Sequence, residues 1–340
     1  MPTRKAPAGY MPNLPPGCTQ RFFRDGDEEA LLVLLQDAFN GTWPKRTISV
    51  PPLEHLRWKL RSHRLATNLH VVAEQGGRII AARPLWVSPL QIEGSVLLSR
   101  QAVDLAVLPE FQRLHLMSAM EARTPRARID LVDVAVGLGN RWQKINFVPG
   151  TPYRRNIDVV ARSLEGAVSD SLPEEWTLRR VESFDDRIDE LWRQASRSFR
   201  AIFVRTADCL NYRYADPRAG DYTIVIAEQG EHILGYIIYT YWQGTGQIAD
   251  ALVLPERPDV LASLLHYAAA QLRRAGNDSV ECWRDTYHPY GSALEKLHFN
   301  EPRRSQRITL HSLRGHDDGM AFFADPKSAV HIMAGDTDLV

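Results

Sequence analysis

The chain has 340 residues, 44% hydrophobic and 24% charged, the make-up of a soluble globular protein with room for two domains of ordinary size. Lysine plus arginine and aspartate plus glutamate both number 41, so no net field draws a polyanion, and the three cysteines are too widely spaced for a metal-binding pattern. No apolar run reaches the ~20 residues of a membrane helix and the N-terminus has no apolar signal core, so a cytoplasmic protein with no membrane partner is expected.

Residues 1–18 are Pro-rich and polar and are expected to form a flexible leader. Asp25 and Asp27 then precede EEALLVLLQDAFNG, in which Leu31, Leu34, Leu35 and Ala38 recur at helical spacing and Gly41 offers a stop. LHVVAEQGGRIIAARPLWV reads as two β-rich runs around a glycine turn, the pattern of a hairpin. The next strand, SRQAVDLAVL, ends at Pro109-Glu110 and leads to a helix carrying Leu116, Met117 and Met120. LVDVAVG is a further strand, WQKINF a helix end, and one more strand closes the segment.

From Asp185 the same order begins again. A helix presents Ile188, Leu191, Trp192, Ala195 and Phe199, and YTIVIAEQGEHILGYIIYTYW is a second hairpin. The strand GQIADALVL precedes a helix with Leu261, Leu264, Leu265, Ala268 and Leu272, for which Asp259 is the expected N-cap. SVECWR, LEKLHF and a closing strand complete it. Short matches fall in register with this order: LRWKL with LNYRY and AEQG with AEQG at an offset of 154, DLAVLPE with DALVLPE at 146, WQKINF with LEKLHF at 152. Such drift is that of a duplicated domain whose loops have changed length. The expected divisions are an N-terminal domain over 19–165, a C-terminal domain over 172–312 and a tail over 313–340. Each domain is α/β, with a mixed, mostly antiparallel sheet flanked by helices.

This order, together with VAEQGGRIIA, DLAVLPEFQR and GNRWQKINF, resembles the GNAT superfamily of acyl-CoA-dependent N-acyltransferases, here as a tandem two-domain member with degenerate motifs. The tail HIMAGDTDLV is similar to the Gly-Asp-x-Asp ending of some tandem members. The resemblance implies an acyl-CoA co-substrate, probed first as acetyl-CoA, with no metal and with a small-molecule amine as acceptor. It implies that the donor's diphosphate sits on the main-chain amides of Gln112, Arg113, Leu114, His115, Leu116, Met117 and Ser118. Helix N-termini suit anions because their first amides lack partners. The glycines usual in that turn are replaced by Arg113, His115 and Met117, so side chains crowd the approach. The main chain of Leu105, Ala106 and Val107 is expected to hold the acyl carbonyl and the pantetheine arm.

Amide formation also needs a base for the ammonium proton and an acid for the thiolate. The family's tyrosine acid aligns with Trp142 and Leu294, neither of which donates as a phenol does. Substitutes in the first half are Asp104 as a proton acceptor through water, Asn140 as a partner of the donor's arm, and Tyr153. Each also has a plain structural reading: a structural carboxylate, a helix cap, a packed aromatic. In the second half Pro258 removes an amide and Asp259 adds a carboxylate where phosphate would lie, so no CoA is expected there. Tyr287, His288 and Tyr290 either supply a base or pack at the domain joint. Two other functions stay open: an aminoacyl-tRNA-dependent transferase similar to the Fem-type ligases, supported by the arginines of EARTPRAR and WRQASRSFR but not by the charge balance, and a non-catalytic scaffold.

Overall fold

The strands form a four-stranded antiparallel sheet from the first half and a twelve-stranded mixed sheet shared by both halves, which are joined by exchange of their closing strands. The computed structural model describes residues 13–138, 153–165, 175–285, 287–314 and 319–338. The first half runs β1 (Cys18–Phe22), α1 (Glu28–Ala38), α2 (Pro52–Leu60), β2 (Val71–Gln75), β3 (Arg78–Arg83), β4 (Leu85–Ile92), β5 (Ser95–Ala102), β6 (Ala106–Val107), α3 (Leu116–Ala122), α4 (Arg126–Ile129), β7 (Val134–Leu138) and β8 (Tyr153–Ser163). The second runs β9 (Thr177–Val181), α5 (Ile188–Ala195), β10 (Ala201–Phe203), α6 (Ala207–Leu210), β11 (Thr223–Gln229), β12 (His232–Trp242), β13 (Thr245–Val253), α7 (Pro258–Arg274), β14 (Ser279–Arg284), α8 (Gly291–Lys296), β15 (Glu301–Ser312) and β16 (Val330–His331).

The helices form where the apolar spacing places them. Leu31, Leu34 and Leu35 of α1 are buried against Val71, Val72 and Ala81 of the hairpin, and Gly41 ends the helix with a left-handed φ of 70° and an amide bond to Gln36. Ile188, Leu191, Trp192 and Ala195 do the same for α5. The expected cap of α7 is different: Arg257 occupies the N-cap, Pro258 follows, and Asp259 lies inside the first turn, where its carboxylate pairs with Arg257 at 2.9 Å. Proline at the first helical position pre-sets φ and shifts the start two residues upstream.

Both hairpins keep the same irregularity. β2 and β3 shift register between Ala73 and Glu74, and β11 and β12 between Ala227 and Glu228, the matching positions of the two AEQG motifs. Elsewhere the copies diverge. The long β12 corresponds to β3 and β4 together, which part at Pro84, a residue with no amide to give the ladder. The long β13 corresponds to β5 and β6, which part around Asp104, itself at φ 44°. As a result β1, β2, β3 and β6 form a separate sheet, while β4, β5 and β7 join the larger one.

That larger sheet runs β16-β10-β4-β5-β7-β15-β8-β14-β13-β12-β11-β9. Its middle carries the exchange. β8, which closes the first half, lies between β15 and β14 of the second, and β15 lies against β7 of the first. A continuous apolar core follows from this, with Val134 and Val136 of β7, Ile157 and Val159 of β8 and Ile308 and Leu310 of β15 packed together. Among the described residues, no helix is long and apolar enough to cross a membrane.

Candidate active site

In each half two neighbouring strands run parallel for three residue pairs and then separate. Ser99 to Gln101 of β5 pair with Val134 to Val136 of β7, and Thr245 to Gln247 of β13 pair with Ser279 to Glu281 of β14. Beyond these pairs a wedge opens in the sheet. One wall of the first wedge is β6, an edge strand whose ladder among the described residues is with β3. The Leu108 amide bonds to the Ile80 carbonyl, so by the alternation of an antiparallel ladder the main-chain groups of Val107 face away from β3, toward the wedge. Gln112 donates to the Val107 carbonyl at 3.4 Å, and no acceptor among the described residues takes the Val107 N–H on that side.

The equivalent position of the second half is Val253, and there the wedge is filled. The hydroxyl of Tyr290 accepts from the Val253 amide at 2.8 Å and donates to its carbonyl at 2.6 Å, satisfying both outward groups. Leu294, Ile332 and Met333 line the remaining space. His288 is packed in with them: its Nε2 is 2.9 Å from Nδ1 of His331 and its ring stacks on Phe199. Burial, then His331 and Arg155, push the His288 pKa well below its ordinary value. Of the cluster Tyr287, His288 and Tyr290, only Tyr287 is exposed, and the other two plug the second wedge.

After β6 the chain makes a single 3-10 turn at Pro109–Phe111 and enters the turn proposed for diphosphate. Arg113 and His115, which stand where glycines are usual, adopt φ of 68° and 57°. The turn therefore keeps left-handed conformations that favour glycine while holding two larger residues. Gln112, Arg113, Leu114 and His115 are exposed, Leu116 is buried, and Met117 is half-buried against the core of the first half. No acceptor among the described residues takes the main-chain amides of Arg113 through Ser118. Asn140 and Trp142 lie outside the described residues. Tyr153 begins β8, half-buried, paired in the sheet with Leu310.

Asp104 marks the break between β5 and β6, and its surroundings were not visible in the sequence. Lys59 of α2, only 4% exposed, reaches it at 2.6 Å. The same ammonium also bonds the carboxylate of Asp338, from the tail. The side chain of Trp43 also favours the ionised form of Asp104. Burial and the neighbouring Asp338 raise the Asp104 carboxyl above the usual carboxylate range, against the pull of Lys59. For Asp338 burial works in the same direction, but Lys59 and Arg46 outweigh it and its pKa is lowered. Two adjacent carboxyls whose surroundings push their pKa values apart suit acid–base work.

The second half repeats this arrangement. Asp250, the repeat equivalent of Asp104, is bound by Arg205 at 3.2 Å, and Arg205 also holds Asp336 of the tail at 2.7 Å. Tyr236 donates to Asp250 at 3.2 Å and Tyr214 at 3.4 Å. The two aspartates of GDTD thus serve one buried cation in each half. Between them the tail is fixed by its main chain: Gln101 donates to the Asp336 carbonyl at 2.6 Å and Arg213 to the Gly335 carbonyl at 2.9 Å. Gly335 is required here, because a Cβ would stand 2.1 Å from the Tyr214 hydroxyl. The tail motif was the only signal in the sequence for these contacts, which span more than a hundred residues. Lys59 lies in the repeated LRWKL segment, but nothing in that match marks it as a partner of Asp104, and Arg205 lies in no recognisable pattern.

No family model matches the chain, and no curated protein matches it. Solved structures do match in fold. A probable N-acyltransferase from Enterococcus faecalis is 13% identical with a TM-score of 0.63, over 90% of this chain and 74% of that one. Saccharomyces cerevisiae N-myristoyltransferase with bound myristoyl-CoA is 14% identical with a TM-score of 0.60, over 91% and 86%. A GCN5-related N-acetyltransferase from Anabaena variabilis is 14% identical with a TM-score of 0.62, over 87% and 73%. The expected fold is therefore the fold observed: two GNAT-like units in tandem, each a mixed, mostly antiparallel sheet flanked by helices.

Proposed function

We propose that the protein is an acyl-CoA-dependent N-acyltransferase whose first half holds the donor. The contrast between Val107 and Val253 carries this reading. At the same position of the two copies, the outward main-chain groups are taken up by Tyr290 in the second half, and the Val107 amide has no described acceptor in the first. The pantetheine arm would run along Leu105, Ala106 and Val107, and the diphosphate would lie on the amides of Arg113 to Ser118, with Arg113 adding charge; the Gln112 amide is taken by the Pro109 carbonyl at 3.3 Å. That the yeast neighbour holds myristoyl-CoA in this fold supports the donor class without fixing the acyl group.

In the reaction the acceptor's ammonium first loses a proton. Its nitrogen then attacks the thioester carbonyl carbon and the C–N bond forms; as the C–S bond breaks the nitrogen gives up its second proton to leave a neutral amide, and the departing CoA thiolate takes up one proton to become the free thiol. Asp104 would receive the first proton, and the rise of its pKa through burial and Asp338 supports that role by bringing it nearer the operating range of a base. The Val107 amide would donate to the carbonyl oxygen as negative charge builds on it. Asn140 and Tyr153 are retained as candidates for holding the donor's arm and for protonating the thiolate.

The test is amine-dependent release of free thiol from acetyl-CoA and from longer acyl-CoAs. Turnover that falls about a hundredfold in Asp104→Asn, the scale of one general base, would support the reading. The absence of release with every acyl-CoA would overturn it, and a salt-sensitive gel shift with bulk tRNA would then favour the aminoacyl-tRNA alternative.

A further inference from the structure

We infer that Arg100, on β5 beside the first wedge, holds the departing CoA thiolate, a role that suits a chain with Trp142 in place of the family's tyrosine acid. The inference rests on the acyltransferase reading and adds one catalytic residue to it. Arg100 and Ala102 alternate along β5 and so share one face of the sheet; Ala102 is exposed, while Arg100 is 4% exposed. The arm proposed along Leu105 to Val107 would bring its sulfur to the break at Asp104, two residues past Ala102. Arg83 stands beside the same stretch, since it follows Ala82, whose ladder partner is Ala106.

Charge argues for an anion at this point. Glu121 of α3 is paired with both Arg83 and Arg100, the latter at 3.4 Å, and Arg83 also donates to the Thr124 hydroxyl at 3.1 Å. Two buried guanidiniums thus share one carboxylate, which leaves one positive charge in excess in this cluster of described residues. Nη1 of Arg100 and Nε of Arg83 are buried with no acceptor among the described residues. Buried donors are normally satisfied, so a free one next to an exposed stretch of the wedge is placed for a ligand. Burial lowers the Arg83 pKa to about 10, and Arg100 pushes it the same way against the pull of Glu121. The second half has no such cluster at these positions. The offset of 154, and the matching hairpin register, put Ile237 at Arg83; the matching parallel run of three pairs puts Gly246 at Arg100. A Cβ on Gly246 would stand 2.5 Å from Leu272 of α7, so an apolar side chain already occupies that space. The excess charge belongs to the copy proposed to bind CoA and is missing from the copy that Tyr290 plugs.

As the C–S bond breaks, its electron pair goes to sulfur, and Arg100 donates a hydrogen bond to the thiolate while keeping its own proton. The thiolate takes its proton from water on release, and the second proton of the nitrogen passes to water. Such a contact strengthens only as charge develops on the sulfur. The experiment compares CoA with desulfo-CoA, which lacks only the sulfur, by calorimetry on the full-length protein between about pH 7 and about pH 10, the range in which thiols ionise. Other titrations of the protein act on both ligands alike. The ratio of the two affinities should rise with pH and level off about tenfold above its starting value, the size of one charge-assisted contact. Arg100→Met should leave the ratio flat, Arg100→Lys should keep part of the rise, and Glu121→Gln, which frees both guanidiniums, should enlarge it. A flat ratio in the unaltered protein, or the same rise in Arg100→Met, would overturn the inference. If Arg100→Met does not fold, Glu121→Gln decides, and an unchanged rise there overturns it as well. Failure of both ligands to bind would instead bring down the acyltransferase reading, and this inference with it.

Discussion

Trp58 and Tyr212, equivalent residues of the two copies, stack with ring centroids 5.2 Å apart and exchange hydrogen bonds. The Trp58 indole donates to the Tyr212 carbonyl at 3.2 Å, and the Tyr212 hydroxyl donates to the Trp58 carbonyl at 2.7 Å. Residue i on j and j on i is the mark of a twofold axis, so the duplicated halves meet about an internal pseudo-twofold at this pair. Trp58→Phe and Tyr212→Phe should each lower stability by about 1 kcal/mol, the net worth of one hydrogen bond. In a double-mutant cycle by urea unfolding the two should be coupled by about 0.5 kcal/mol or more. Strict additivity would mean that the bonds act independently of the stacked pair.

Lys59 bridges Asp104 and Asp338, and Lys59→Met leaves the Asp104 carboxyl without its buried cation while Asp338 keeps Arg46 at 3.4 Å. We expect a loss of about 3–5 kcal/mol, the cost of breaking a buried ion pair from one side. Adding Asp104→Asn to that variant should recover part of the loss, because one of the two charges is then gone. A loss below about 1 kcal/mol in urea unfolding would show that the cluster is far better hydrated than its geometry implies.

His70 ties folding to pH. Its Nδ1 accepts from the Leu85 amide at 3.1 Å while its Nε2–H donates to the Leu60 carbonyl at 2.8 Å, an arrangement that needs the neutral ring. Burial pushes its pKa from 6.5 to about 4, and His55 is pushed to about 3 by burial and by Lys59. Between those values and 6.5 the unfolded chain binds protons that the folded chain refuses. Stability is therefore full above pH 6.5 and falls as pH drops, by at most about 1.4 kcal/mol per pH unit for each histidine. His70→Gln should flatten part of that slope between pH 6.5 and pH 4. An unaltered slope would show that His70 is already free to take a proton.

His115 occupies a left-handed position, φ 57°, with an exposed side chain. His115→Gly should raise stability by about 0.5–1 kcal/mol by removing the strain of a Cβ there, net of glycine's greater freedom when unfolded. His115→Ala should bring no such gain. If the two variants melt together, the strain is absent.

Much of this fold is local and therefore legible. The alternation in VVAEQGGRIIA gives a hairpin wherever it occurs, and its recurrence as VIAEQGEHILG announces the second copy. The strand exchange leaves no such trace, because register between β7 and β15 depends on which edges remain open once both sheets have formed. The start of α7 differs from the expected cap at Asp259 because Pro258 fixes the first turn and puts the N-cap two residues upstream, at Arg257. At the site, the outward direction of the Val107 main chain could be anticipated from DLAVLPE, since it depends on strand pairing and not on side-chain identity. Lys59, Arg205 and the carboxylates of Asp336 and Asp338 were not, because their partners lie more than a hundred residues away or follow no spacing that chemistry imposes on sequence.

The central claim is that one acyl-CoA binds, in the first wedge and not in the second. Hydrogen exchange with and without acetyl-CoA, and with a longer acyl-CoA, tests it directly. Slowed exchange is expected at the amides of Leu105, Val107 and Arg113 to Ser118, with Val253 and the start of α7 unchanged. Protection confined to the second half, or none at any acyl-CoA concentration, would contradict it.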